Sequence, residues 1–237
     1  MITVLAPRGS LVSGATLEPD PDEEHHLRVR RVRDGEAIRL VDGAGGVARG
    51  RLIRAGRGLR VALESVALAP PPPPLRLGVG AGDKDRFASV VEKAVELGAT
   101  ELIPLEMEHT RSVATRLRAS HLPRLRRRAL EALKQCGSAW ALAVADLATL
   151  EEFAARREAG ARWLADPEGG LAAALPPDAP ATWVVGPEGG ISGAERALLL
   201  DADFRPIRLG PHVLRFDTAA MAALVMTWQA RQGATHG

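Results

Sequence analysis

Tyrosine is absent from this chain, and all aromatic residues together make up 3% of it. Stacking of single-stranded bases on a row of rings is therefore excluded as its main mode of recognition. Cysteine occurs once, as Cys136, which rules out a disulfide framework and a cysteine-based zinc site. His25 and His26 lie beside Glu23 and Glu24, but His109, His121, His212 and His236 are scattered without ligand spacing, so no metal is expected. No apolar run approaches the roughly 20 residues that span a bilayer, and no secretory leader is evident, so a cytoplasmic protein without membrane contact is expected. A Gly-x-Ser-x-Gly elbow is missing, as is any glycine loop continued by Gly-Lys-Ser/Thr. The common serine-hydrolase and P-loop readings fall with them. Lysine is scarce too: Lys84, Lys93 and Lys134 stand against many arginines, whose planar fork suits phosphate, within a net charge of only +2.

What is present supports a folded core, since 46% of the 237 residues are hydrophobic. Residues 1–69 read as β: runs such as Ala37–Val41 and Leu59–Leu63 are separated by turns at Asp42-Gly43 and Gly45-Gly46, giving a small barrel or sandwich. The spacer Pro70–Pro74 marks a domain boundary, because neither a helix nor a central strand tolerates it. From residue 75 to 237 the period changes. Leu75–Ala81 reads as a strand, and Asp83 can cap a helix with Phe87, Val90, Val91, Ala94 and Leu97 on one face. Strand Glu101–Leu105 follows, then a helix over about Leu122 to Cys136 that exposes Arg124, Arg127 and Arg128. Trp140–Ala145 reads as a strand, Leu150–Glu158 as a helix and Arg162–Ala165 as a strand. Such alternation implies a mostly parallel sheet with helices on both faces. The last helix, with Ala219, Met221, Ala222, Leu224, Val225, Met226 and Trp228, has almost no polar face, which points to a homodimer.

The organising stretch runs from Ala181 to Gln232 and repeats one arrangement: apolar run, glycine-bearing loop, helix. Trp183–Val185 leads into Gly186-Pro187-Glu188-Gly189-Gly190, and Ser192 with Glu195 forms a capping box for the next helix. Pro206–Leu209 leads into Gly210–Arg215 and a helix from about Asp217. Two strand-to-helix loops at the carboxyl ends of strands form the usual ligand crevice of an α/β sheet. Glycines there either bring backbone N–H groups to a ligand or simply make a tight turn. The near-copy Asp166–Gly170 is read as a turn, and Gly78, Gly80 and Gly82 as small strand residues. The basic run Arg28–Arg33 alternates, so on a strand Arg28 and Arg30 share one face and Arg31 and Arg33 the other. In a small β domain this fits either a solvated edge or an RNA-gripping surface.

Taken together, these motifs resemble the RsmE family of 16S ribosomal RNA uridine N3-methyltransferases, in the knotted SPOUT superfamily. The resemblance spans nearly the whole chain. Its most specific parts are Val185–Gly190 with Glu195, and Leu209-Gly210 followed by Val213-Leu214-Arg215 and Thr218-Ala219. Lys84-Asp85-Arg86, Lys93–Ala99 and Ile103-Pro104 look like the family's early catalytic block, and His25, Val29, Arg31, Gly35 and Asp42-Gly43 like its N-terminal PUA-like barrel. The family's usual Leu-Arg-Thr-Glu-Thr-Ala reads here Leu214-Arg215-Phe216-Asp217-Thr218-Ala219, and its Glu-Gln-Ser-Gly-Arg reads Lys134-Gln135-Cys136-Gly137-Ser138.

The resemblance implies a PUA-like β-barrel over 1–69 and a SPOUT domain over 75–237, with a trefoil knot near 186–216. It implies S-adenosylmethionine as cofactor, held by Gly186, Pro187, Glu188, Gly189, Gly190, Leu209, Gly210, Val213, Leu214 and Thr218. Arg215 is the candidate stabiliser of a uracil anion or phosphate; Glu188 is the candidate base or, equally, a loop-ordering residue. His25, Arg28, Arg31, Arg33, Lys84 and Arg86 are the candidate contacts to 16S rRNA or the 30S subunit. Ribose 2′-O-methylation on the same fold, or a non-catalytic assembly factor, are the alternatives.

Overall fold

The computed structural model describes residues 1–56, 58–156 and 158–233; His236 lies outside them. The chain divides into two compact units. The first holds Met1–Pro71 together with Leu130–Ala141, and the second holds Pro72–Ala129 and the chain from Leu142 on.

In the first unit, strands β1 (Ile2–Leu5), β2 (Thr16–Leu17), β3 (Ala37–Val41), β4 (Gly46–Ala55) and β5 (Gly58–Leu68) form a sheet in the order β1-β3-β4-β5-β2. β1 and β3 run parallel, and the other neighbours are antiparallel. Inward residues of β3 to β5, such as Ile38, Leu40, Leu52 and Val61, alternate with exposed ones and close a core with Leu27 and Val32. The β3–β4 turn is held by Asp42, whose Oδ1 accepts the N–H groups of Ala44 and Gly46, both at 2.8 Å. Gly45 there has φ 97°, and a Cβ on it would lie 2.6 Å from the Trp140 ring. Trp140 therefore packs as a plug, its indole N–H donating to Pro70 O.

One expectation fails in this unit. Arg28 to Arg33 are not on a strand: helix α1 spans Pro21–Val29, Arg30 is its C-cap, and Arg31 closes it with φ 53°. Its cause is local. Asp20 accepts the N–H of Glu23, Pro21 supplies a helical φ in the first turn, and Asp22, Glu23 and Glu24 suit the positive helix start. These signals outweigh the alternation of arginines, which reflects solvent on every side.

In the second unit, β6 (Leu75–Gly80), β7 (Glu101–Glu106), β8 (Ala143–Val144), β10 (Ala161–Gly170), β11 (Ala181–Val185) and β12 (Arg205–Ile207) form a parallel sheet in the order β12-β10-β11-β6-β7-β8, and β9 (Ala148–Thr149) also pairs with β7. Helices α2 (Lys84–Glu96), α4 (Leu150–Ala154), α5 (Gly193–Asp201) and α6 (Phe216–Gly233) connect or follow these strands, and α3 (Leu122–Cys136) belongs to this unit up to Ala129 and to the first from Leu130. Successive strand residues face opposite sides. Trp183 points to α6, donating its indole N–H to Thr227 Oγ1 at 2.7 Å and packing on Trp163 at 4.9 Å between ring centroids. Its neighbour Val184 lies in the opposite core with Phe153 of α4 and Leu199 of α5. The sheet is thus covered on both faces.

Three local readings are corrected. Asp166–Gly170 is not a turn but the end of β10, where the pairing with β12 shifts register between Ala165 and Gly170. A Cβ on Gly169 would lie 2.5 Å from Ile207 N, so only glycine lets the two strands approach there. The strand expected over Trp140–Ala145 is limited to Ala143–Val144, because Trp140 is drawn to Ala44 instead. The helix expected over Leu150–Glu158 ends at Ala154, and Arg157 lies outside the described residues.

Candidate active site

A cleft of about 480 Å³ opens beyond the carboxyl ends of β10, β11 and β12. It lies within the roughly 300–1,000 Å³ usual for small-molecule sites, and at the strand end where α/β sheets bind ligands. Its walls come from the ends of these strands and the loops after β11 and β12, including Gly186 to Ile191 and Arg208 to Gly210.

The loop after β11 is braced from behind. Ser192 caps α5, and Glu195 Oε2 returns to the Ser192 N–H at 2.9 Å. Glu195 Oε1 also accepts the N–H of Glu108 at 2.7 Å, and His109 Nδ1 lies 3.2 Å from Gly190 O. A Cβ on Gly189 would lie 2.7 Å from the His109 side chain, so the loop closes onto this short segment only as glycine. Glu188 Oε1 accepts the N–H of Asp83, the N-cap of α2, at 2.9 Å. Gly80 and Gly82 make room for the same contact: added Cβ atoms would lie 2.5 Å from Pro187 and 2.2 Å from Glu188 Oε2. They are small because the loop packs on them; Gly80 ends β6, as expected of a strand glycine, whereas Gly82 lies beyond the strand.

The loop after β12 presents main chain. Among the described residues, the N–H groups of Leu209, Gly210, His212, Val213 and Leu214 have no partner in the protein. Such donors require water or a ligand. Arg215 lines the cleft and donates from Nη2 to Asp217 Oδ2 at 3.0 Å; its side chain is 64% exposed, while that of Asp217 is 11% exposed. The other Asp217 oxygen, Oδ1, is buried without a partner. Phe216 is buried and lines the cleft together with Ala219, one turn along α6. Thr218 is exposed and lies outside this lining. Positions 216 and 219 share a helix face, and 218 falls on another.

Of the remaining predicted residues, His25, Arg28, Arg31, Arg33 and Arg86 are exposed and Lys84 is half-buried. Lys84 and Arg86 occupy the first turn of α2, beside the Asp83 that Glu188 contacts. His25 and Arg28 lie three residues apart on α1, and Arg31 and Arg33 follow it. Asp83 is held below its ordinary pKa of 3.8, first by the Thr115 hydroxyl and then by the Arg86 N–H. Sequence reasoning missed Asp166, Arg196, Arg208 and His212, all on the cleft wall. The Gly-Pro-Glu-Gly-Gly loop and its near-copy mark the two strand ends, and the repetition was the one available signal for Asp166. Among the described residues, no group of three or more His, Cys, Asp or Glu is placed to hold a metal.

Comparison with known proteins bears on this geometry. A family model for an RNA methyltransferase domain matches residues 70–228, and one for an RNA methyltransferase PUA domain matches residues 19–59. Ribosomal RNA small subunit methyltransferase E of Mycobacterium bovis is 36% identical over 244 residues, covering 90% of this chain and 86% of its own. The chain belongs to the RsmE family. The Mycobacterium tuberculosis member matches to the same extent. An RsmE crystal structure from Neisseria gonorrhoeae, bound to S-adenosyl methionine, shares the fold with a TM-score of 0.87 at 24% identity, over 97% of both chains. A Legionella pneumophila protein in complex with the same cofactor follows, with a TM-score of 0.82 at 25% identity over 97% of both chains.

Proposed function

We propose that this RNA methyltransferase uses S-adenosylmethionine to methylate N3 of a uridine in 16S rRNA of the small ribosomal subunit. Family membership supports the reaction class, and the observation that carries the site is the row of unpartnered N–H groups from Leu209 to Leu214. They suit a nucleoside base held by main chain, and the braced glycine loop 186–190 suits the rest of the cofactor. When bound, the cofactor supplies a methyl group already activated on a sulfonium sulfur.

The chain's task is then mainly alignment, with uracil N3 in line with the methyl carbon. N3 gives up its proton to solvent, and the N–C bond forms as the methyl–sulfonium bond breaks, so a cation that favours the uracil anion helps. Arg215 has that role in this reading: it lines the cleft, is largely exposed, and is steered by Asp217. Glu188 is assigned to ordering the loop, because its carboxylate already accepts the Asp83 N–H and packs on Gly82. Lys84, Arg86, His25, Arg28, Arg31 and Arg33 are assigned to phosphates of the RNA, whose target base must leave its stack.

The same reading includes a cytoplasmic site of action, a knotted path for residues 186–216 and a homodimer. Among the described residues, α6 leaves Trp228 59% and Val225 38% exposed, an apolar face suited to a second copy. Light scattering of wild type and Trp228→Glu checks the dimer.

The deciding experiment is calorimetric titration with S-adenosylmethionine, followed by tritium transfer to unmodified 30S subunits and nucleoside analysis. Label in 3-methyluridine is expected. Label on a ribose would change the reaction while keeping the fold, and 30S binding without transfer would leave a non-catalytic assembly factor.

A further inference from the structure

Among the described residues, three arginines line the cleft, and they differ in how they are held. Arg208 is exposed, and Arg215 reaches outward with a side chain 64% exposed. Arg196, in α5, is instead fixed to the wall. Its Nε donates to Asp166 Oδ2 at 2.7 Å, and the Asp166 side chain is only 10% exposed. Asp166 is itself set by the N–H of Glu168, which donates to Oδ1 at 2.9 Å. Among the described residues, the terminal nitrogens of Arg196 have no partner. A guanidinium held through Nε keeps its Nη1–Nη2 edge, which presents two parallel N–H donors to a planar oxyanion.

We infer that Arg196, positioned by Asp166, binds the α-carboxylate of the cofactor's amino-acid end. This rests on the S-adenosylmethionine reading above. The carboxylate is the one anionic group of that cofactor, so a cation on the cleft wall serves it, whereas the sulfonium and ammonium would be repelled. RNA phosphate is the other source of an oxyanion. It fits Arg208 and Arg215 better, because both extend further into solvent than the wall-bound Arg196. Asp166 holds the guanidinium in one orientation, so little side-chain freedom remains to be lost on binding. It also limits the net charge at the subsite, which suits a zwitterionic amino-acid end.

The test compares two neutral thioethers, S-adenosylhomocysteine, which keeps the amino-acid end, and methylthioadenosine, which lacks it. Their dissociation constants are measured by calorimetry on wild type and Arg196→Met, with 30S binding in parallel. Wild type is expected to bind S-adenosylhomocysteine at least about tenfold more tightly than methylthioadenosine, and Arg196→Met to remove most of that difference while leaving methylthioadenosine affinity unchanged. Asp166→Asn gives a smaller loss in the same direction. Equal affinity of wild type for both thioethers overturns the inference without reference to any variant. So does an equal loss for both in Arg196→Met, or a loss confined to 30S binding. Failure of wild type to bind S-adenosylmethionine or either thioether overturns the cofactor reading itself, which separates the two failures.

Discussion

Glu188 and Asp83 are 105 residues apart, yet Glu188 Oε1 accepts the Asp83 N–H at 2.9 Å. The loop after β11 is thereby tied to the first turn of α2. The bond gives Glu188 a loop-ordering role, and that role and the general-base role separate experimentally. Glu188→Gln keeps a carbonyl acceptor for the Asp83 N–H, so turnover should stay within several-fold of wild type. Glu188→Ala leaves that N–H without its partner and should cost about 1–3 kcal/mol if water cannot replace it, read by chemical denaturation, with weaker cofactor binding. Loss of turnover in Glu188→Gln at full cofactor affinity would restore the base.

Arg215→Ala should lower the single-turnover rate by about 10²-fold while cofactor affinity changes little, because the lost cation acts on the developing uracil anion. The substitution also leaves the largely buried Asp217 carboxylate without its cation. Arg215→Ala combined with Asp217→Asn should therefore recover stability but not rate, by thermal melts and rapid-quench assay. An unchanged rate in Arg215→Ala removes it from the mechanism.

Asp83 carries a pH dependence. Its carboxyl sits below the ordinary value of 3.8, chiefly because the Thr115 hydroxyl donates to it at 2.6 Å. A depressed folded-state pKa stabilises the protein above the unfolded value, and that contribution is lost as pH falls through the folded value. Thr115→Val should raise the Asp83 pKa, observed by carboxyl carbon NMR, and move acid unfolding to higher pH. Stability at pH 7 should fall as well, since the ionised Asp83 loses a donor.

Arg31 closes α1 at φ 53°, a left-handed conformation that costs a side-chain-bearing residue about 1–2 kcal/mol. Arg31→Gly relieves this strain and adds unfolded-state freedom, so the net change in melting temperature should be small. Affinity for 30S subunits should fall, and the dependence of binding on salt should become shallower, if Arg31 meets a phosphate. Unaltered affinity and salt slope would show that its conformation is purely a matter of capping.

How much of this was legible depended on the range of the signal. The Ser192–Glu195 capping box and the α2 face with Phe87, Val90, Val91 and Ala94 were readable because their partners lie within one or two helical turns. The glycine loop 186–190 was readable as a turn at a strand end. Helix α1 was equally local, through Asp20 and Pro21, but the alternating arginines suggested a strand; a polar segment exposed on several sides has no reliable period. Thr218 is expected in the site by family resemblance alone; the helical phase of α6, which puts 216 and 219 on the cleft wall, is not readable from that pattern.

The sequence by itself determined the alternation of strands and helices, the glycine loops at two strand ends, and the apolar α6. Each is a matter of local sterics, capping or periodicity. Tertiary structure alone decided which polar groups meet. It set Glu188 on Asp83 and Asp166 on Arg196, and it joined Leu130–Ala141 to the N-terminal unit. It also turned Asp166–Gly170 from a turn into the irregular end of β10. These outcomes follow from strand order and register, which bring together residues far apart in the chain, and no local pattern specifies a contact across such distances.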